Sequence, residues 1–455
     1  MRTPATDRGR LLVLGCLVAA VTLFTATVPL LRDWFDLRVY YGTVNTWIHH
    51  GGRVYDYRVP GTPYGFTYPP FAAVTMLPMA LVGLRTAIVA ALLLNLAALA
   101  VVVRVLAGPG RRRLGWYGAV LAACVLALFE PLRDTFSFGQ VNLLLLALVL
   151  ADAWLLVNGR GRWAGAGIGL AAAVKLTPAV FIGLLLVARR WRAAAVAAGV
   201  AAGATALAAL VAPDASRFYW TRALWDTGRV GRLDYVSNQS LQGVLARLGV
   251  ESKAVWAVLV AVVLCVWARR ARRAVDAGDW QTAFALTGAA ACLVSPVTWV
   301  HHLVWLLPSF AVLIRAGHPR VAGALYAVLC TSVVWLWFDD ASGIDGFLGS
   351  NTYTWVTLGL LLFLPVGQLS AERRRASHSA SQTEDPPSTA APAITAASDQ
   401  PGRPSPAATA TEGATGSATG PGAGRARSRS ASSEPTDSTR PPAANPQSSS
   451  ARASS

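Results

Sequence analysis

Charge is scarce in this chain, and what there is leans to one sign: 14% of 455 residues are charged, with 40 Lys and Arg against 23 Asp and Glu. So low a charged fraction beside 54% apolar residues excludes an ordinary soluble domain. The basic residues come in short bursts between apolar runs, without the continuous basic face of a nucleic-acid binder, so nucleic acid is excluded as a partner. Cysteine is equally sparse. Cys16, Cys124, Cys265, Cys292 and Cys330 all lie in apolar runs without CxxC spacing, which speaks against a disulfide framework or a metal cluster. Lysine occurs only at Lys175 and Lys253, an Arg bias that reads as genome composition.

What is present is a succession of apolar runs. Arg2, Arg8 and Arg10 precede the run 11–31, which is long enough to cross a bilayer and lacks a small-residue cleavage site, so it reads as a retained first span. If basic clusters mark the cytoplasm, parity assigns further spans near 86–107, 114–131, 141–157, 193–212, 254–268, 280–294, 303–316, 321–337 and 352–369. Two stretches resist this scheme. Residues 163–188, flanked by Arg on both sides, suit a re-entrant hairpin broken at Lys175, Thr177 and Pro178, with Thr177 as the cap of its second helix. Residues 69–83 are short and Pro-punctuated, after a polar, aromatic loop 32–68. The fold class is therefore all-α and polytopic, with about 11–13 transmembrane or re-entrant helices over residues 1–375. From Ala376 there is no Phe, Trp, Tyr, Leu or Val, so 376–455 reads as a disordered cytoplasmic tail. Both termini are then cytoplasmic, and the polar loops 32–68, 132–140, 213–240, 295–302 and 338–351 face outward.

Several residues in those outer segments carry possible chemistry. Asp33 and Asp36 follow the first span. Either pairs with Arg32 or Arg38 as an interfacial cap, or one of them is a general base. Phe66 to Phe71, with Tyr68 ahead of two prolines, forms an aromatic turn suited to a sugar, a lipid or the membrane interface. Gln140 and Asn142 sit at membrane depth, where amides bond sugar hydroxyls or hold helices together. Lys175, an ammonium in an apolar hairpin beside a helix start, calls for a phosphate. His301 and His302 occupy an outer turn and point to different helix faces, which disfavours a metal chelate. Asn238 and Gln239 form an amide-rich loop that contacts substrate or backbone.

Taken in order, the stretches DLRVYY, FTYPPF, FGQVNLLLLAL, AVKLTPAVF, SNQSLQGVL and SPVTWVHHLVWLLP, over residues 33–310, resemble the actinobacterial family 87 glycosyltransferases, polyprenol-phosphate-mannose-dependent alpha-(1,2)-mannosyltransferases of the GT-C type. The resemblance covers most of residues 10–370 and not the tail. It implies a GT-C-like membrane fold in the cell membrane with an outward-facing site, a polyprenyl-phosphate sugar donor, and a glycolipid or lipoglycan acceptor among membrane lipids. It also implies Asp36 as general base, Lys175 near the donor phosphate, and His301 or His302 as the family's outer histidine. Arg38, Tyr68, Gln140, Asn142, Asn238 and Gln239 complete the expected substrate contacts. A single phosphate leaving group can be managed by a Lys, a His and a helix terminus, so no cofactor and no obligatory metal is expected. The alternatives are a transporter or flippase of a lipid-linked sugar, or a GT-C transferase using another polyprenyl-phosphate sugar.

Overall fold

The computed structural model describes residues 6–27, 33–108, 115–159 and 161–367, all within one unit of the chain. The predicted tail, together with Arg2, Arg32, Arg111 to Arg113, Arg160 and Arg373 to Arg375, lies outside the described residues. Within them, 18 α-helices are joined by turns and short 3-10 segments, and the only β pairing is one isolated bridge between Arg58 and Gly65.

Among the described residues, four helices are long and apolar enough to cross a membrane: Leu84–Ala107, Trp191–Val211, Lys253–Asp276 and the stretch Pro319–Trp337. The run behind the first predicted span is helical over Asp7–Thr27. Six shorter apolar helices accompany them, among them Asn142–Val157, Trp280–Val294 and Thr352–Phe363. Trp280–Val294 is buried at every position from Thr282 to Leu293, as an apolar-all-round sequence requires, and forms the central pillar. Asp279 caps it by accepting from the Thr282 N–H at 3.1 Å, and Thr287 on its flank accepts from the Trp267 indole at 2.9 Å.

The hairpin predicted over 163–188 is present, with a different joint. The Ala166–Val174 helix ends at Lys175, whose backbone is extended, and a 3-10 turn Thr177–Ala179 leads into Val180–Val187. Thr177 does not cap: the residue before the turn is Leu176, already in the helical region, and no side chain bonds the free N–H groups there. The hairpin is anchored by Asp152, which accepts from the Ile168 N–H at 2.7 Å, supplying a carboxylate to a helix start. Its far side lies so close to Trp191–Val211 that a Cβ at Gly169 would stand 2.3 Å from the Ala197 carbonyl oxygen. Small residues allow this backbone approach.

Three segments read from sequence as polar loops contain helices: Phe35–His49 in 32–68, Glu130–Phe138 in 132–140 and Pro213–Thr221 in 213–240. The predicted span 114–131 ends at Leu128, where the chain bends by 75° into Glu130–Phe138. Leu37, Tyr40 and Val44 are buried at helical spacing on one face of Phe35–His49, so this helix lies on the bundle although its sequence is too polar to span. Residues 69–83 likewise form no span but a short helix Pro70–Thr75 and a 3-10 segment Leu77–Leu81.

Candidate active site

The carboxylate of Asp36 is placed by the first turn of Phe35–His49. The turn before it is left-handed at Asp33 and Trp34 (φ 46° and 54°), and the Trp34 N–H donates to the Ser137 carbonyl at 3.1 Å. Across from it, Gly139 ends Glu130–Phe138 with φ 70°. A Cβ there would lie 2.6 Å from Leu37 Cβ, so only glycine lets this turn meet the Asp36 helix. The next residue, Gln140, is thereby aimed at Asp36: its Nε2 donates to Asp36 Oδ2 at 2.6 Å.

From Gln140 the bonds run on without a gap. Its Oε1 accepts from the Tyr68 hydroxyl at 2.9 Å, and Tyr68 in turn accepts from Tyr40 at 3.0 Å and from Lys175 Nζ at 3.3 Å. Pro69 and Pro70, which open the helix behind Tyr68, leave it little backbone freedom. Lys175 reaches this point because the break in the hairpin releases it from the apolar helix. Its Nζ donates to Asn142 Oδ1 at 3.0 Å, lies 2.8 Å from His302 Nε2, and sits 4.9 Å from the centroid of the Tyr68 ring. The other imidazole nitrogen, Nδ1, accepts from the Trp299 N–H at 3.1 Å, which fixes the ring and turns Nε2 toward Lys175.

Asp36, Gln140, Tyr68, Lys175, His301 and His302 line one cavity of about 590 Å³. That is the size that encloses a drug-sized ligand, and most of the remaining wall is apolar or aromatic. Asp36 stands on a helix that is not among the spans. Burial pushes its carboxyl up to about 6, against the Gln140 hydrogen bond and the charge of Lys175, which both favour the ionised form. A carboxylate so placed can take a proton near neutral pH.

Not every predicted residue joins this group. Arg38 faces away, with Nη2 on Asp33 at 2.9 Å and Nε on the Asp33 carbonyl at 2.8 Å, and it does not line the cavity. Asn142 supports Lys175 and the His301 carbonyl (3.4 Å) from behind the wall. Asn238 and Gln239 are fully buried and spent on the backbone. Asn238 holds the Leu233 and Pro296 carbonyls and the Thr298 N–H, while Gln239 holds Val236, Ser350 and Thr354. Of the two histidines, His302 meets Lys175, whereas His301 stacks edge-on against Phe138 at 5.2 Å. The sequence reading missed the rest of the wall, including Tyr64, Arg229, Tyr235, Trp299 and Trp335. The Pro213 and Asp214 that open Pro213–Thr221 are the helix-start signal that points into this region.

Comparison with known proteins places this geometry in a context. A model described as "Glycosyltransferase family 87" matches residues 66–296. The chain is 36% identical over 314 residues to a polyprenol-phosphate-mannose-dependent alpha-(1-2)-phosphatidylinositol pentamannoside mannosyltransferase of Mycobacterium tuberculosis, a match covering 67% of this chain and 72% of that one. It is 30% identical over 390 residues to a polyprenol-phosphate-mannose-dependent alpha-(1-2)-phosphatidylinositol mannoside mannosyltransferase of Mycolicibacterium smegmatis, covering 78% and 85% of the two chains. No solved structure matches.

Proposed function

This chain belongs to glycosyltransferase family 87 and is a multi-pass membrane mannosyltransferase with a polyprenyl-linked donor, and from that premise we propose the acceptor, the stereochemistry and the roles of the residues. In this reading it moves mannose from polyprenyl phosphomannose to a glycolipid of the phosphatidylinositol mannoside kind, in alpha-1,2 linkage, at the outer face of the cell membrane. The observation that carries it is the unbroken chain of hydrogen bonds from Asp36 through Gln140 and Tyr68 to Lys175, on the wall of one cavity. A base and a cation held in register are what a single displacement at a sugar phosphate requires.

The acceptor hydroxyl attacks C1 of the mannose while its proton passes to Asp36 Oδ1, which takes no hydrogen bond from the described residues. The C1–O bond to phosphate breaks, and polyprenyl phosphate departs with the electron pair. Lys175, with His302 and the Tyr68 hydroxyl beside it, faces the charge that develops on that phosphate. Attack from the side opposite the leaving group converts a beta-linked phosphosugar into an alpha product, so one carboxylate suffices where a glycosidase needs two. The outward orientation rests on the basic clusters that mark the cytoplasmic ends of the spans. The rival reading as a transporter of lipid-linked sugars gives way to the family membership.

The test is transfer of radiolabelled mannose from polyprenyl phosphomannose to glycolipid, in membranes carrying equal amounts of the wild type or Asp36→Asn. Product from the wild type alone is the expected result. Undiminished product from Asp36→Asn removes Asp36 from the role of base, and no product from either removes the proposed donor and acceptor pair.

A further inference from the structure

The cavity wall carries three cations, and they are not in the same condition. Lys175 is held by Tyr68, Asn142 and His302, and Arg232 is neutralised by Asp234, with contacts of 3.1 and 2.7 Å. The third is Arg229, at the end of the 3-10 turn Thr227–Arg229. Its guanidinium lies over the Phe218 ring, 5.2 Å from the centroid, and is half-buried. Its Nε is buried without a hydrogen-bond partner, and no ion pair among the described residues involves it. Asp226 also lines the cavity but forms no ion pair with it.

A guanidinium never sheds its charge, and one that is stacked on an aromatic face offers its edge as a flat fork of donors. Leaving the Nε donor buried and unmade costs free energy that a bound anion would recover. Phosphate oxygens match the fork in two-point fashion, whereas a sugar hydroxyl leaves the charge uncompensated. Arg229 belongs to the 213–240 segment, while Lys175 belongs to the hairpin. The cavity wall therefore carries two cations without a carboxylate partner, on different elements.

We propose that Arg229 is a second phosphate seat, which holds the phosphodiester of a phospholipid-anchored acceptor while the donor phosphate lies at Lys175. The inference rests on the proposed reaction for its assignment of Lys175 to the donor. The Phe218 ring orients the guanidinium and packs at 5.3 Å against Tyr55, which is itself stacked on Tyr219 at 6.2 Å. The cavity then reads the acceptor at both ends, its hydroxyl at Asp36 and its phosphate at Arg229.

Full-length protein purified in detergent, as wild type, Arg229→Gln and Arg229→Lys, is titrated with three probes: a phosphatidylinositol mannoside, phosphate-free octyl α-mannoside, and polyprenyl phosphomannose. Direct binding is the readout, so the result does not depend on whether transfer occurs. Arg229→Gln is expected to weaken the phosphatidylinositol mannoside about tenfold or more and to leave the other two unchanged. Arg229→Lys, which keeps the charge and loses the fork, should recover part of the loss. Weakened binding of polyprenyl phosphomannose instead assigns Arg229 to the donor and overturns the proposal. Equal affinities for all three probes in wild type and Arg229→Gln, with unchanged melting temperature, overturn it as well. If the wild type binds the phosphatidylinositol mannoside through Arg229 yet transfers no mannose, the seat stands and the proposed reaction falls.

Discussion

Two carboxylates open short helices close to a membrane span, and the structure treats them in opposite ways. Glu130 is fully buried where the chain bends after Leu128. Both of its oxygens are occupied, one by the Trp335 indole at 2.6 Å and the other by the Tyr353 hydroxyl. Asp36 has one oxygen on Gln140, its other oxygen takes no hydrogen bond from the described residues, and the residue lines the cavity. The difference teaches that an acidic residue near a membrane is no guide to chemistry by itself. The closed one ties Glu130–Phe138 to Thr352–Phe363 and to the 3-10 segment Val333–Trp337. The half-satisfied one retains an oxygen for a proton.

The comparison is broken most directly by neutralising each acid in turn. Asp36→Asn should lower kcat/KM for mannosyl transfer by about 10² to 10⁴, the usual contribution of a positioned base, while polyprenyl phosphomannose still binds. Glu130→Gln, assayed in the same membranes, should change kcat/KM by less than about threefold. An equal loss in both variants would mean that the two acids act as one unit. Lys175→Ala comes next, with a loss of about 10² to 10³ as one donor to the developing phosphate charge is removed.

The pH profile separates the two acids without any substitution. In the proposed role Asp36 takes a proton only when ionised, and burial has raised its carboxyl to about 6. The rate is therefore full above that pH and falls tenfold per unit below it, whereas an ordinary exposed Asp would hold the rate constant down to about 4. A profile flat from pH 7 to 5 in wild-type membranes would take the proton-accepting role away from Asp36. Tyr353→Phe supplies the counterpart on the closed side: it should cost about 1–3 kcal/mol of stability in a thermal melt and leave the pH profile where it is.

How much of this was legible in the sequence follows from the same physics. The long apolar helices near 86–107, 193–212, 254–268 and 321–337 were, because apolar length is a strong signal, whereas the predicted spans at 280–294, 303–316 and 352–369 correspond to shorter helices. The break at Lys175 was legible too, because a lysine within an apolar hairpin demands a reason. Asp36, Tyr68, Gln140, Lys175 and the histidine pair, each singled out in the sequence, line one cavity, while the choice between His301 and His302 was not legible there. What misled was the parity of basic clusters, which counts crossings and is blind to helices lying on the bundle. Phe35–His49 passed as a loop although Leu37, Tyr40 and Val44 already had helical spacing. The amides were the harder case. Gln140 and Asn142 read like Asn238 and Gln239, and only three-dimensional packing separates Gln140 on the cavity wall and Asn142 behind it, holding Lys175, from a pair consumed by backbone groups. Arg229 gave no signal at all, since its significance lies in partners it does not have.

Arg38 sharpens the contrast at its weakest point. It was expected to bind substrate; it does not line the cavity, and it braces the turn that presents Asp36, bonded to both the side chain and the carbonyl of Asp33 where the backbone is left-handed. The side chains of this pair are 42% and 75% exposed, so the ion pair itself contributes no more than about 1 kcal/mol and weakens with salt. Arg38→Gln should therefore lower kcat by about twofold to fivefold through a loosened Asp36, with the KM values for donor and acceptor unchanged. High salt applied to the wild type should reproduce part of that loss, because it screens the same pair, and should add little to the variant. A donor KM raised with kcat intact would restore Arg38 to the substrate contacts. That outcome would also mean that the cavity admits ligand as far as the start of the Asp36 helix.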